Sequence, residues 1–145
     1  MSRRRVLVLC THNSARSQMA EGFLRAIAGD GVEVASAGTE ATRVHPLAIR
    51  VMDEVGIDLR GHSSKTLDPF LVEPWDYVVT VCDSASERCP MFPGRAQRIH
   101  WSFDDPSAAT GSDEERLATF RRVRDQIGTR LRAWAKEADL GAGGV

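Results

Sequence analysis

The segment Cys10-Thr11-His12-Asn13-Ser14-Ala15-Arg16-Ser17 sets a thiol and a guanidinium on either side of five small or polar residues. Five residues suffice to wrap backbone N–H groups around one tetrahedral oxyanion, and such nests at a helix N-terminus hold phosphate-like groups. Thr11, His12, Asn13, Ser14, Ala15 and Arg16 are therefore the candidate oxyanion-binding loop. In that positive potential Cys10 is expected to act as a thiolate nucleophile, because a helix N-terminus and a neighbouring cation favour the anion. The planar fork of Arg16 grips two oxygens of one anion together, which lysine does not do. Asn13, Ser14 and Ser17 are suited to hold the loop and the sulfur by hydrogen bonds. The spacing alone is weak evidence, since Lys65 and Lys136 are the only lysines among 19 Lys+Arg and arginine is abundant. The position, after an apolar run and before a helical pattern, favours a nucleophile over a buried structural cysteine. Far downstream, Asp105-Pro106 reads either as a plain turn or, combined with Cys10 and Arg16, as a general acid leaning over the anion.

These residues need a frame. Val6-Leu7-Val8-Leu9 predicts a buried strand ending on Cys10. Met19, Ala20, Phe23, Leu24 and Ile27 recur at helical spacing until Gly29-Asp30-Gly31. Val32 to Ser36 reads as a second strand and Ala37-Gly38-Thr39 as a turn. A second helix starts at His45-Pro46, carries Leu47, Val51 and Val55 on one stripe and stops at Gly56. The stretch 57–74 is irregular, and Trp75 to Cys82 has the continuous apolar character of a central strand. Residues 83–90 read as a short helix cut off by Pro90, Gln97 to Trp101 as a further strand. The last helix opens on a Ser112/Glu115 capping box and carries Leu117, Phe120, Val123, Ile127, Leu131 and Trp134, with Ala138 to Val145 as a flexible Gly-rich tail. Strands alternating with helices give an α/β fold with a parallel sheet covered on both faces. Ligands collect at the carboxyl ends of such strands, where Cys10, Cys82 and the loop after Trp101 all lie.

At 145 residues, 42% hydrophobic and 27% charged, residues 1–145 fit a single catalytic domain. A formal net charge of -1 gives no general attraction to nucleic acid, and no apolar run is long enough to span a membrane. Arg3-Arg4-Arg5 lacks the apolar stretch of a signal peptide. Three cysteines are too few for a secreted disulfide scaffold, which points to a reducing cytoplasm. No paired Cys or His spacing makes a zinc set. His62 and His100 read as packing or surface residues, with His62 also a candidate brace for Asn13, and neither His12 nor His45 needs a catalytic role.

Taken together, Cys10-Thr-His-Asn-Ser-Ala-Arg16-Ser-Gln-Met-Ala-Glu21-Gly, Ser36-Ala-Gly, Cys82 with Cys89, and His100-Trp-Ser-Phe-Asp-Asp105-Pro-Ser resemble the thioredoxin-coupled arsenate reductases, which share the low-molecular-weight protein tyrosine phosphatase fold. The resemblance implies a four-stranded parallel sheet flanked by helices on both faces. It also implies nucleophilic attack on arsenate by Cys10, oxyanion binding by Arg16, acid catalysis by Asp105 and redox roles for Cys82 and Cys89, recycled by thioredoxin. Arsenate is the substrate implied, with phosphate or sulfate as competing anions, weak phosphatase side activity and a monomeric enzyme. In potassium-binding relatives the positions of Asn13, Glu21 and Ser36 surround a cation, completed by an acidic residue where this chain has Lys65. The expectation is an enzyme that needs no potassium, with Lys65 paired to Glu21. Two further departures are Ala15, where some members have another cysteine, and His12, where many have glycine. The alternatives are a phosphotyrosine phosphatase, which needs only Cys10, Arg16 and Asp105, and a non-enzymatic oxyanion-binding module. Ser107-Ala108-Ala109 after Asp105-Pro106 offers no aromatic side chain to stack on a phosphotyrosine ring.

Overall fold

A computed structural model describes residues 4–83 and 94–140. Four parallel strands, β1 (Arg4–Cys10), β2 (Val32–Gly38), β3 (Tyr77–Thr80) and β4 (Gln97–His100), form one sheet in the order β2-β1-β3-β4. The helices are α1 (Arg16–Ala28), α2 (Pro46–Asp53) and α3 (Asp113–Glu137). Val6, Leu7, Val8 and Leu9 are all fully buried, as expected of a strand flanked on both edges and covered on both faces.

The two faces are covered unequally. Val6 and Val8 point into the larger core with Met19, Leu24, Val51, Met52, Phe120 and Ile127, so α1, α2 and α3 share that face. Leu7 and Leu9 pack with Trp75 and Val78 in a smaller cluster that Leu67 and Phe70 close. Among the described residues that face is roofed by a 3-10 turn at Asp68–Phe70 and by Trp75, whose indole N–H donates to Phe70 O (3.1 Å) and whose ring carries the Arg5 guanidinium 4.2 Å away. An irregular segment serves here because its polar groups are satisfied locally.

Several boundaries differ from the sequence reading. β2 runs through Ala37 to Gly38 instead of turning there, because Gly38 stays paired with Cys10 at the end of β1. β3 has only four residues, and Cys82 lies just beyond it. Val55, read as part of the α2 stripe, is 45% exposed, since α2 ends at Asp53 and Gly56 turns the chain at a φ of 80°. Residues 138–140 are docked and not a free tail: Leu140 is 2% exposed, and Leu140 N–H bonds to Ala135 O (2.8 Å). The 83–90 helix and Cys89 fall largely outside the described residues. α3 matches expectation, with both halves of the Ser112/Glu115 capping box present and all six residues of its apolar stripe buried.

The chain order of the strands reverses between β1 and β3. That switch point opens a crevice at the carboxyl ends of these two strands, where Cys10 and Cys82 stand.

Candidate active site

Cys10 is a free thiol, 2% exposed, at the carboxyl end of β1. The loop that follows returns the chain into α1 at Arg16, which is 3% exposed. Asn13 makes the sharpest bend, at a φ of 48°, a left-handed conformation that asparagine tolerates better than most side chains. Four contacts hold it there: Nδ2 donates to Ser17 Oγ (2.7 Å) and Ser36 Oγ (2.9 Å), and Oδ1 accepts from Gln18 Nε2 (2.9 Å) and Lys65 N (2.9 Å). Gln18 reaches on to the Ser63 carbonyl (3.0 Å), and its Oε1 lies 3.1 Å from His62 Nδ1. His62 thus braces Asn13 through Gln18. Burial, the largest influence on His62, lowers its pKa and favours the neutral ring.

Cys10 sits at one end of a hydrogen-bonded chain. Ser17 Oγ lies 2.9 Å from Cys10 Sγ, and because it already accepts from Asn13, its own hydrogen is free to point at the sulfur. On the other side Ser36 Oγ accepts from Asn13 and donates to Glu21 Oε1 (2.6 Å). The order is Glu21, Ser36, Asn13, Ser17, Cys10, and every group in it is buried.

A small pocket above Cys10 is lined by Cys10, His12, Ser14, Ala15, Arg16, Asp105 and Ser107. Arg16 Nη1 donates to Phe103 O (3.1 Å), and Arg16 Nη2 is 3.7 Å from Asp105 Oδ2, so the loop after β4 is tied to the guanidinium. Cys10, Arg16 and Asp105 therefore meet at one site. Of the other loop residues, His12 Nε2 pairs with Glu40 (3.4 Å), while the Thr11 carbonyl accepts from Glu40 N (3.1 Å) and Thr39 Oγ1 (3.0 Å). Thr11 and Asn13 support the loop, whereas Ser14 and Ala15 face the pocket. Cys82 is fully buried and is not a free thiol. Val81 N–H bonds to Leu9 O (2.9 Å), which sets Cys82 one residue beyond the level of Cys10 on the adjoining strand path. Cys89 lies outside the described residues.

The expected Lys65–Glu21 ion pair is not formed. Glu21 binds Arg25 instead (2.9 Å), one turn along α1, and the Lys65 ammonium donates to Ser63 O (2.7 Å). Burial is the main influence on Lys65 and lowers its pKa, with Glu21 opposing at longer range. Among the described residues no group of three or more His, Cys, Asp or Glu is arranged to hold a metal ion. No described helix is long and apolar enough to cross a membrane. His100 is a surface residue on β4, its Nδ1 2.6 Å from Thr80 Oγ1, and His45 caps α2 by accepting from Leu47 N–H (3.1 Å). Gly38, Gln18 and Ser107 are site residues that the sequence reading did not assign. For Ser107 the available signal was its place two residues after an aspartate, the spacing of an Asx turn.

Residues 5–141 match the family described as low molecular weight phosphotyrosine protein phosphatase. The chain belongs to that family. Within it, similar curated proteins are the arsenate reductases of Halalkalibacterium halodurans, 48% identical over 94% of this chain and 98% of theirs, and of Bacillus subtilis, 46% identical with the same coverage. Among solved structures, an arsenate reductase in the phosphate binding state is 34% identical with a TM-score of 0.78, covering 92% of this chain and 98% of that one. The thioredoxin-dependent arsenate reductase of Corynebacterium glutamicum is 29% identical with a TM-score of 0.72, covering 95% of this chain and 63% of that one.

Proposed function

We propose that the protein is an arsenate reductase working through three cysteines. The Cys10 thiolate attacks arsenic(V) while residues 11–16 hold the oxygens, and Asp105 gives its proton to the departing oxygen, which leaves as water. Cys82, disulfide-bonded in the structure and reduced to the thiol before each turnover, then attacks the Cys10 sulfur. The S–As electron pair stays on arsenic, so arsenite leaves as the Cys10–Cys82 disulfide forms. Cys89 attacks Cys82, freeing Cys10, and thioredoxin reduces the resulting Cys82–Cys89 disulfide. The observation that carries this reading is Cys82 at the end of the strand bonded to β1, one residue past the level of Cys10. Hydrolysis of a phosphate ester has no use for a second cysteine there. The arsenate reductases among the relatives, one of them named as thioredoxin-dependent, support it further.

The phosphatase reading draws on the family match and on Cys10, Arg16 and Asp105 alone. Arsenate and phosphate share shape and charge, so weak aryl phosphatase activity and competitive inhibition by phosphate or sulfate accompany the reductase. The deciding assay is arsenate-dependent NADPH oxidation with thioredoxin and its reductase, run beside hydrolysis of an aryl phosphate. Cys10→Ser abolishes both activities, and Asp105→Asn slows reduction by about 10²- to 10⁴-fold, the usual worth of general acid catalysis. Cys89→Ser traps a Cys10–Cys82 link after one turnover, seen by mass mapping. An active Cys10→Ser enzyme, or a wild type that hydrolyses aryl phosphate but does not reduce arsenate, overturns the proposal.

The enzyme is also proposed to act as a cytoplasmic monomer and without potassium. A half-buried Lys65 brings its own positive charge beside the Glu21 network. Tm and KM are then equal in potassium and sodium at matched ionic strength, and a potassium-specific rise in Tm rejects this.

A further inference from the structure

The two oxygens of Asp105 face different neighbours. Oδ1 accepts twice from one residue, the Ser107 backbone N–H (3.0 Å) and the Ser107 hydroxyl (2.6 Å). Oδ2 lies on the Arg16 side, 3.7 Å from Nη2. That separation is an ion-pair contact too long for a hydrogen bond, so Oδ2 keeps a position open for a proton. A carboxyl oxygen that already receives two donors cannot carry a hydrogen in the same plane without setting it against theirs.

We propose that Ser107 is a positioning residue for the Asp105 acid: by filling both acceptor positions of Oδ1 it fixes the carboxyl rotamer and puts the transferable proton on Oδ2, the oxygen beside Arg16 and the anion pocket. This rests on the reading of Asp105 as the acid and adds which oxygen acts and what selects it. In the step itself the Oδ2–H bond breaks and an O–H bond forms on the oxygen leaving arsenic. Asp105 is left as a carboxylate, with the Ser107 donors on one oxygen and Arg16 near the other.

The hydroxyl is not needed to build the turn. Pro106 fixes its own φ, the Ser107 N–H makes the capping contact to Asp105, and the Ala109 N–H closes the turn on Pro106 O (3.1 Å). Ser107 is exposed, so truncating it opens no cavity. What the hydroxyl adds is occupancy of the second acceptor position on Oδ1.

The test is a cycle of Ser107→Ala, Asp105→Asn and the double variant, with Ser107→Thr as the conservative control. The readouts are the single-turnover rate of arsenite formation at saturating arsenate and the inhibition constant of inorganic phosphate. Ser107→Ala is expected to lose about three- to tenfold in rate with phosphate inhibition unchanged, and Ser107→Thr to keep most of the wild-type rate. In the Asp105→Asn background Ser107→Ala costs nothing more, because there is no acid left to orient. The proposal is overturned if Ser107→Ala runs at full rate while Asp105→Asn is slow, if its loss persists in the Asp105→Asn background, or if phosphate affinity falls with the rate. Full activity of Asp105→Asn itself overturns the acid assignment, and the role of Ser107 with it.

Discussion

Gly38 shapes the loop after Cys10 by having no side chain. A Cβ at this position would stand 2.6 Å from the Thr11 carbonyl oxygen and 2.9 Å from both Asn13 N and Cys10 O. All three are backbone atoms, which cannot swing aside as a side chain does. Gly38→Ala is therefore expected to displace the loop, weakening phosphate inhibition at least tenfold and costing about 1–3 kcal/mol of stability in urea unfolding, the range for overpacking. Unchanged inhibition would mean that the loop yields elsewhere. Cys10, Arg16 and Asp105 were legible in the sequence because a thiol, a guanidinium and a carboxyl declare their chemistry wherever they fold. Gly38 carried no such label, since its role exists only when β2 comes alongside the loop. The mistaken partner for Glu21 had a visible competitor in Arg25, at the i,i+4 spacing and in the favourable order on one helix.

Among the elements, α2 has the most consequential start. His45 Nδ1 accepts from Leu47 N–H, the His45 backbone N–H bonds to Ser14 O in the oxyanion loop (2.9 Å), and its ring packs 4.7 Å from Phe120. A ring nitrogen that accepts is unprotonated. Burial is the main cause holding the His45 pKa below 6.5, helped by Arg116 and Arg43 and opposed by Asp105. The unfolded chain then binds the proton that the fold refuses, so stability is flat above pH 6.5 and declines as pH falls below it. Asparagine caps a helix without titrating. His45→Asn should reduce the slope of Tm against pH in this range, with buried His62 supplying the remainder, even if lost contact with Phe120 lowers Tm throughout; an unaltered slope would assign the dependence to His62 or another group. Sequence patterning located α1 and α3 well because long amphipathic periods repeat the signal over several turns. It overextended β3, whose apolar run continues past the last paired residue, and it could not show that an irregular segment would roof one face of the sheet.

At the scale of the whole molecule, the helices that support the site are tied together at Glu54, just past the end of α2. Its carboxylate accepts from Arg121 (2.7 Å) and Arg124 (2.8 Å) on α3, while Arg124 also reaches Val51 O (2.9 Å). The Arg121 hydrogen bond is the largest influence and Arg124 adds to it, holding Glu54 down at about 2 from an ordinary 4.5. A depressed carboxyl stabilises the fold above 4.5 and loses that contribution as pH falls toward about 2. Glu54→Gln should cost about 1 kcal/mol at neutral pH, the scale of a solvent-screened pair. Urea unfolding at pH 7, 4 and 2.5 should show the gap closing, and a constant gap would argue against the ion pairs as its source. The alternation of strands and helices made the parallel sheet readable, whereas the clamp joins residues 54, 121 and 124 through a packing that no local pattern encodes.

The strand order also bears on synthesis. β1 is made first yet lies in the middle of the sheet, bonded to β2 on one edge and β3 on the other. As the chain leaves the ribosome, β2 can close the first edge once residues 32–38 emerge, but the second edge of this apolar strand ending on Cys10 stays unpaired until residues 77–80 follow. At roughly 5–20 residues per second that leaves a few seconds in which an apolar strand edge and the Cys10 thiol are open together.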